Sequence, residues 1–220
     1  MWGLLVILAA APLEQAQALE QNGDDAAAIT LLEGAVKGDP RWAMGRVELG
    51  RLQLKQGTSE AAFHHLDIAR SLASENPRAH YLFALAAGEV GHRNESRRAL
   101  EVALALREGY ADAQVRLASV LTAEGDYASA AKVLKPYVGA HPEANGARLQ
   151  LADALERSGD RPGAEKELRS LLQVPPLKVL AGRRLVALLE AEGRTAEAAK
   201  VRQVIDPPRR QLRELPASGR

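Results

Sequence analysis

Five histidines are the first place to look for chemistry, because imidazole binds metals and moves protons near neutral pH. His64 and His65 are adjacent. Neighbours on a helix project about 100° apart, so they do not share one ion as an i, i+4 pair does. Asp67 lies near His64, but no third ligand accompanies them, and no metal site is expected. His80, His92 and His141 read as surface or packing residues. There is no cysteine in the chain as given. That excludes thiolate catalysis, disulfides, Cys-ligated zinc and a lipid-modified cysteine, and it fits a reducing or an oxidising compartment alike. No Gly-rich phosphate loop and no G-x-S-x-G elbow occur. Paired carboxylates such as Asp24-Asp25 fall at helix starts, where an anion suits the N-terminus. Asn94-Glu95-Ser96 has the form of a glycosylation sequon, but it falls at a helix start and is given no function. The expectation is a chain that is not an enzyme, with no catalytic residue, metal or cofactor.

The elements that carry these residues are read from composition first. The chain has 220 residues, 46% hydrophobic but only 4% aromatic, with Ala and Leu dominant. Both are strong helix formers, so an all-α chain with a continuous core is expected. The net charge of +1 offers no field for nucleic acid.

A repeat then sets the register. Gly23, Gly57, Gly91, Gly125, Gly159 and Gly193 are each 34 residues apart, the mark of a solenoid. Five residues after them come Ala28, Ala62, Ser96, Ala130, Ala164 and Ala198; nine after come Leu32, Leu66, Leu100, Leu134, Leu168 and then Arg202. Twelve after come Ala35, Ala69, Ala103, Tyr137, Leu171 and Ile205. These offsets mark one stripe of a helix. Eight and four residues before the glycines a second helical face runs through pairs such as Leu117 and Leu121 or Leu151 and Leu155, with a small residue such as Ala118 or Ala152 seven before. Each unit is therefore helix, Gly, helix. The glycine ends the first helix with φ > 0. Asp24, Thr58, Asp126 and Asp160 are placed to cap the second. Pro40, Pro142 and Pro176 fall where the second helix must stop; unit 2 has Pro77 three places late, so its second helix is expected to run on or end loosely. Unit 3 ends in Glu108-Gly109, where the glycine serves as the stop, and Pro136 is expected to kink a helix. Arg202 in the Leu place suits a last unit with no neighbour to cover it.

These residues resemble the tetratricopeptide repeat. The likeness covers roughly residues 9–212, and its best unit runs from Ala111 to Ala144, with Leu117, Ala118, Leu121, Gly125, Tyr127, Ala130, Leu134 and Pro142 in the family's places. It implies a right-handed superhelical α-solenoid of antiparallel helix pairs, with the first helices lining a concave groove. By that resemblance the groove-facing positions are Gln17, Glu20, Met44, Val47, Arg51, Lys55, Tyr81, Leu85, Glu89, Asp112, Val115, Ser119, Leu149, Asp153, Arg157, Leu180, Arg183 and Glu190. The Lys and Asn, four apart, with which family members clamp a chaperone's C-terminal carboxylate are absent: Leu13 and Gln17, and Val47 and Arg51, stand there instead.

The expected organisation is an apolar segment at 1–12, six repeat units over 9–206 and a basic tail at 207–220. The run from Trp2 to Ala11 is uncharged and mostly apolar, shorter than the ~20 residues a membrane span needs. Three readings of it stand: a helix covering the first unit, a signal or anchor remnant, and a partner-docking end. The tail carries Arg209, Arg210, Arg213 and Arg220 and reads as a solvated cap or as a patch for anionic lipid or an acidic partner. The function expected is a non-catalytic interaction scaffold for a protein or peptide partner, in a bacterial envelope assembly such as a pilus, secretion or motility complex. The alternative is a cytoplasmic regulatory subunit or sensor. A periplasmic or membrane-associated location is favoured, with membrane association through residues 2–11 and self-association through the solenoid ends left open.

Overall fold

The computed structural model describes residues 11–206. The expected segment at 1–12, apart from Ala11 and Pro12, and the tail at 207–220 lie outside the described residues. Among those described, twelve α-helices follow one another and no strand occurs: α1 Pro12–Gln21, α2 Asp25–Gly38, α3 Ala43–Lys55, α4 Ser59–Leu72, α5 Pro77–Glu89, α6 Arg93–Leu106, α7 Ala111–Glu124, α8 Tyr127–Ala140, α9 Asn145–Ser158, α10 Arg161–Leu171, α11 Pro175–Ala191 and α12 Thr195–Ile205.

The six periodic glycines each stand after the first helix of a pair, with φ between +75° and +91°, a region closed to most side chains. Gly109, at φ +75°, follows α6 as expected of a stop. Asp24, Asp126 and Asp160 cap α2, α8 and α10 by accepting from the backbone N–H three residues on, at 3.0, 3.1 and 2.9 Å. Thr58 does not: its hydroxyl donates back to the Gln53 carbonyl at 3.1 Å, so it closes the end of α3 instead of capping α4. Asn76 caps α5, accepting from Arg78 and Ala79.

Two proline readings are corrected. The second helix of unit 2 does not run on; α4 ends at Leu72, in register, and Pro77 opens α5 at a first-turn position, where a missing N–H costs nothing. Pro176 likewise begins a helix: α10 stops at Leu171, and Pro175 and Pro176 lie in the first turn of α11. Pro136 lies inside α8, which continues to Ala140.

The chain divides into two compact units, 1–117 and 118–220, with the boundary inside α7. In the first, α3 packs against α2, α4 and α5, and α5 against α6. In the second, α9 packs against α8 and α10, and α11 against α10 and α12. Register positions supply both cores: Ala28, Leu32 and Leu49 in the first unit, Ala152, Leu168, Leu185 and Leu189 in the second. Ser96 holds the small place in α6 and, fully buried, donates to the Ala84 carbonyl of α5 at 2.7 Å, so a polar side chain in the core is satisfied. Arg202 is exposed and pairs with Glu190, while neighbouring Val201 is buried in the α11–α12 contact. No helix among the described residues is long and apolar enough to cross a membrane.

Candidate interaction surface

The first helices of the pairs carry the expected groove positions. In the first unit Gln17 is exposed on α1. Arg51 and Lys55 on α3 are not free cations. Arg51 Nη2 donates to Glu20 Oε2 at 2.5 Å and its Nε to Glu48 Oε2 at 2.7 Å, while Lys55 bonds Glu20 at 3.1 Å and Asp25 at 2.9 Å. The Arg51 guanidinium holds the Glu20 carboxyl down at about 2, and Lys55 is raised by Asp25 first and Glu20 second. Glu48 also accepts from Arg78 at 2.5 Å, so charges of alternating sign tie α1, α3 and α5 together.

Tyr81 and Leu85 are half-buried on α5, and Glu89, exposed at its end, accepts from the Ser59 hydroxyl. The Tyr81 ring stands 5.1 Å from that of Tyr110, and the Arg107 guanidinium lies 5.0 Å over Tyr110. Burial, then Asp112, raises both phenols. Val115 is half-buried on α7. Met44 is exposed, whereas Val47 is fully buried.

In the second unit Ser119 and Asp153 line one cleft of about 460 Å³ with Thr122, Leu149, Gln150 and Arg184. It is built from α7, α9 and α11, three successive first helices. Asp153 is shared between Arg184 at 2.9 Å and Arg157 at 3.2 Å, and Arg157 also donates to the Tyr127 hydroxyl at 2.9 Å with its guanidinium 5.1 Å from that ring. Arg183 is exposed and lines a different cleft, of about 830 Å³, formed with Arg202, Gln203 and Ile205 of α12.

The histidines have local partners or lie at the surface. His80 is buried, with Nε2 2.8 Å from the Ser74 carbonyl; His92 meets the Phe63 ring at 4.9 Å; Asp67 pairs with Arg70 at 2.6 Å, not with His64. Among the described residues no three His, Cys, Asp or Glu side chains converge. The sequence reading missed Arg184, Gln150, Tyr110 and Arg116. All stand on or beside first helices, and no local signal marks them: Arg184 meets Asp153 only through contact between two repeats, 31 residues apart in sequence.

A tetratricopeptide repeat family model matches residues 13–77 and 81–145, and a second matches 121–189. The fold is similar to a crystal structure of MamA (TM-score 0.67, 24% identity, covering 72% of this chain and 92% of that one). It is also similar to YrrB, described as a tetratricopeptide repeat protein with an unusual peptide-binding site (0.70, 18%, 80% and 92%). A third likeness is to a repeat protein from Parabacteroides merdae ATCC 43184 (0.66, 18%, 86% and 75%). A comparison with curated proteins finds no match.

Proposed function

The chain belongs to the tetratricopeptide repeat family, a fold of interaction scaffolds, and we propose on that footing that it is a non-catalytic adaptor holding a peptide segment of a partner along its first helices. The observation that carries this is the cleft on α7, α9 and α11. Its lining alternates hydroxyl, amide, aliphatic and ion-paired groups, which suits backbone hydrogen bonds with shallow apolar anchoring and lacks a nucleophile–base pair. YrrB, of similar fold, has a peptide-binding site in its description, which supports the reading. The test is photo-crosslinking in the cells that express the protein, from Ser119 and Gln150 in the cleft and from exposed Lys132 on α8. Partner adducts confined to the cleft positions support the groove; equal yields from Lys132 refute it.

The apolar run at Trp2–Ala11 supports a second element of the proposal, that the scaffold works in a bacterial envelope assembly such as a pilus, secretion or motility complex. Fractionation with intact-mass analysis tests it. Full-length protein in the cytoplasm overturns the envelope element and leaves the groove standing.

A further inference from the structure

Arg184 and Arg116 hold the same place in the repeat, two periods apart, and only one is satisfied. Arg184 on α11 reaches back to α9, where its Nη2 donates to Asp153 at 2.9 Å and to Glu156 at 2.7 Å. Two periods earlier the arginine is Arg116 on α7, and the residues corresponding to Asp153 and Glu156 are Leu85 and Gly88 on α5. The arm lies where that correspondence puts it: a Cβ at residue 88 would stand 3.4 Å from Arg116 Nη2. Among the described residues no acceptor pairs with its guanidinium, and its Nε is buried without a partner. A half-desolvated guanidinium without an acceptor is costly, and a carboxylate meets its forked donors with two charge-assisted bonds.

The surroundings narrow the ligand. Tyr81, Leu85 and Gly88 share one face of α5, at i, i+4 and i+7. Neither phenol hydroxyl is bonded within the described residues, and Tyr81 and Tyr110 make an aromatic floor at one end. Asp112, one turn before Arg116, faces that floor, so an anion is disfavoured there and favoured at the Gly88 end, clear of Glu89, which Ser59 holds. We propose that Arg116 receives a carboxylate side chain of a partner polypeptide beside Gly88, where this repeat supplies no carboxylate of its own, with a neighbouring apolar residue of the same segment lying on Leu85 and Tyr81. This rests on the groove reading and narrows it to segments that pair an acidic with an apolar residue.

The test is to pan random 12-residue peptides displayed on phage against the purified chain. Selected peptides are then measured by fluorescence anisotropy with the wild type, Arg116→Met and Gly88→Glu. The selected peptides are expected to carry Asp or Glu beside Leu, Ile or an aromatic residue. Replacing the acid by its amide, or using either protein variant, is expected to weaken binding at least about tenfold. Both variants are expected to unfold at or above the wild-type temperature, so that loss of binding is not loss of fold. Binders without an acidic residue, or acidic binders indifferent to both variants, overturn this inference and leave the groove reading intact. No binder at all removes the groove reading, and this inference with it.

Discussion

Arg46 Nη1 lies 3.1 Å from His65 Nδ1, so a cation on α3 is held against a ring on α4 that must stay neutral. The Nε of the same arginine donates to the Pro40 carbonyl at 3.0 Å. Three periods later Arg148 repeats the arrangement, donating to the Pro142 carbonyl at 3.2 Å and to Glu167 Oε2 at 2.8 Å. The clasp is the same and only the acceptor differs: a carboxylate there, an imidazole here. With Nδ1 accepting, the proton of His65 sits on Nε2.

The difference makes the His65 clasp sensitive to pH. Burial, then Arg46 and then His64, hold the His65 imidazole below its ordinary value. The unfolded chain therefore takes up a proton first as pH falls. Stability from this residue is complete above about pH 6.5, declines as pH drops through that value, and levels off below the folded pKa. Urea midpoints at about pH 7.5 and about pH 5.5 bracket the decline. His65→Glu, which copies the Arg148–Glu167 pair, is expected to abolish it and to add about 0.5–1 kcal/mol at neutral pH, since the site is half-exposed. A wild-type midpoint that does not move between those pH values would refute the clasp.

The Glu20–Arg51 pair works at lower pH and with the other sign. The Glu20 carboxyl is held at about 2, from an ordinary 4.5, so its contribution is present above about 4.5 and lost as pH falls toward 2. Glu20→Gln is expected to lose about 1 kcal/mol at neutral pH, and to lose less than the wild type does on acidification. Thermal unfolding at neutral pH and at about pH 3 reads both. Equal acid sensitivity in wild type and variant would show that the pair does not couple α1 to α3 in solution.

Gly50→Ala looks harmless in the repeat, because Ala16, Ala84, Ala118 and Ala152 hold that place. A Cβ at residue 50, however, would stand 2.4 Å from Cγ of Leu66, which is fully buried. Overpacking of this kind costs about 1–3 kcal/mol, against about 1 kcal/mol gained from helix propensity, so a net loss near 1 kcal/mol is expected. Leu134→Ala, at another fully buried place of the same stripe, is expected to lose about 2–5 kcal/mol through the cavity it leaves. A higher melting temperature for Gly50→Ala would mean that Leu66 moves aside.

How far the sequence was legible follows from which interactions are local. The glycine period, the small residue at Ala130 and the leucine at Leu134 are set by the geometry of a helix pair, and each is buried where the register puts it. Thr58 and Pro176 were misread because each type has two local uses. A threonine hydroxyl either caps the next helix or closes the last one, and a proline either stops a helix or starts one. The groove residues were placed by register, but their charge state was not. Whether Arg51 is a free cation depends on Glu20 in the preceding repeat, some thirty residues away in sequence. Arg116 went unseen because its distinction is what it lacks, which shows only beside Arg184.

The carboxylate missing at Gly88 also predicts a change in stability with no partner bound. Gly88→Glu restores the residue type that Arg184 meets at Glu156, 2.7 Å away. Two terms favour it: part of the ~1 kcal/mol of helix propensity over glycine, since residue 88 is next to last in α5, and about 0.5–1 kcal/mol for a partly exposed ion pair, offset in part by placing an anion at the helix C-terminus beside Glu89. Against it, the new Cβ meets Arg116 Nη2 and Ser96 Oγ, both at 3.4 Å. Ser96 is fixed by its bond to the Ala84 carbonyl, but the long Arg116 side chain can shift by a few tenths of an ångström, so the contact is cheap on that side. A net gain of about 0.5 kcal/mol is expected. Gly88→Gln keeps the propensity and loses the charge, so the gap between the Glu and Gln variants isolates the ion pair. Adding Arg116→Met to both should close that gap, a double-mutant cycle read by urea unfolding. A gap that persists without Arg116 would mean that its guanidinium does not lie over residue 88.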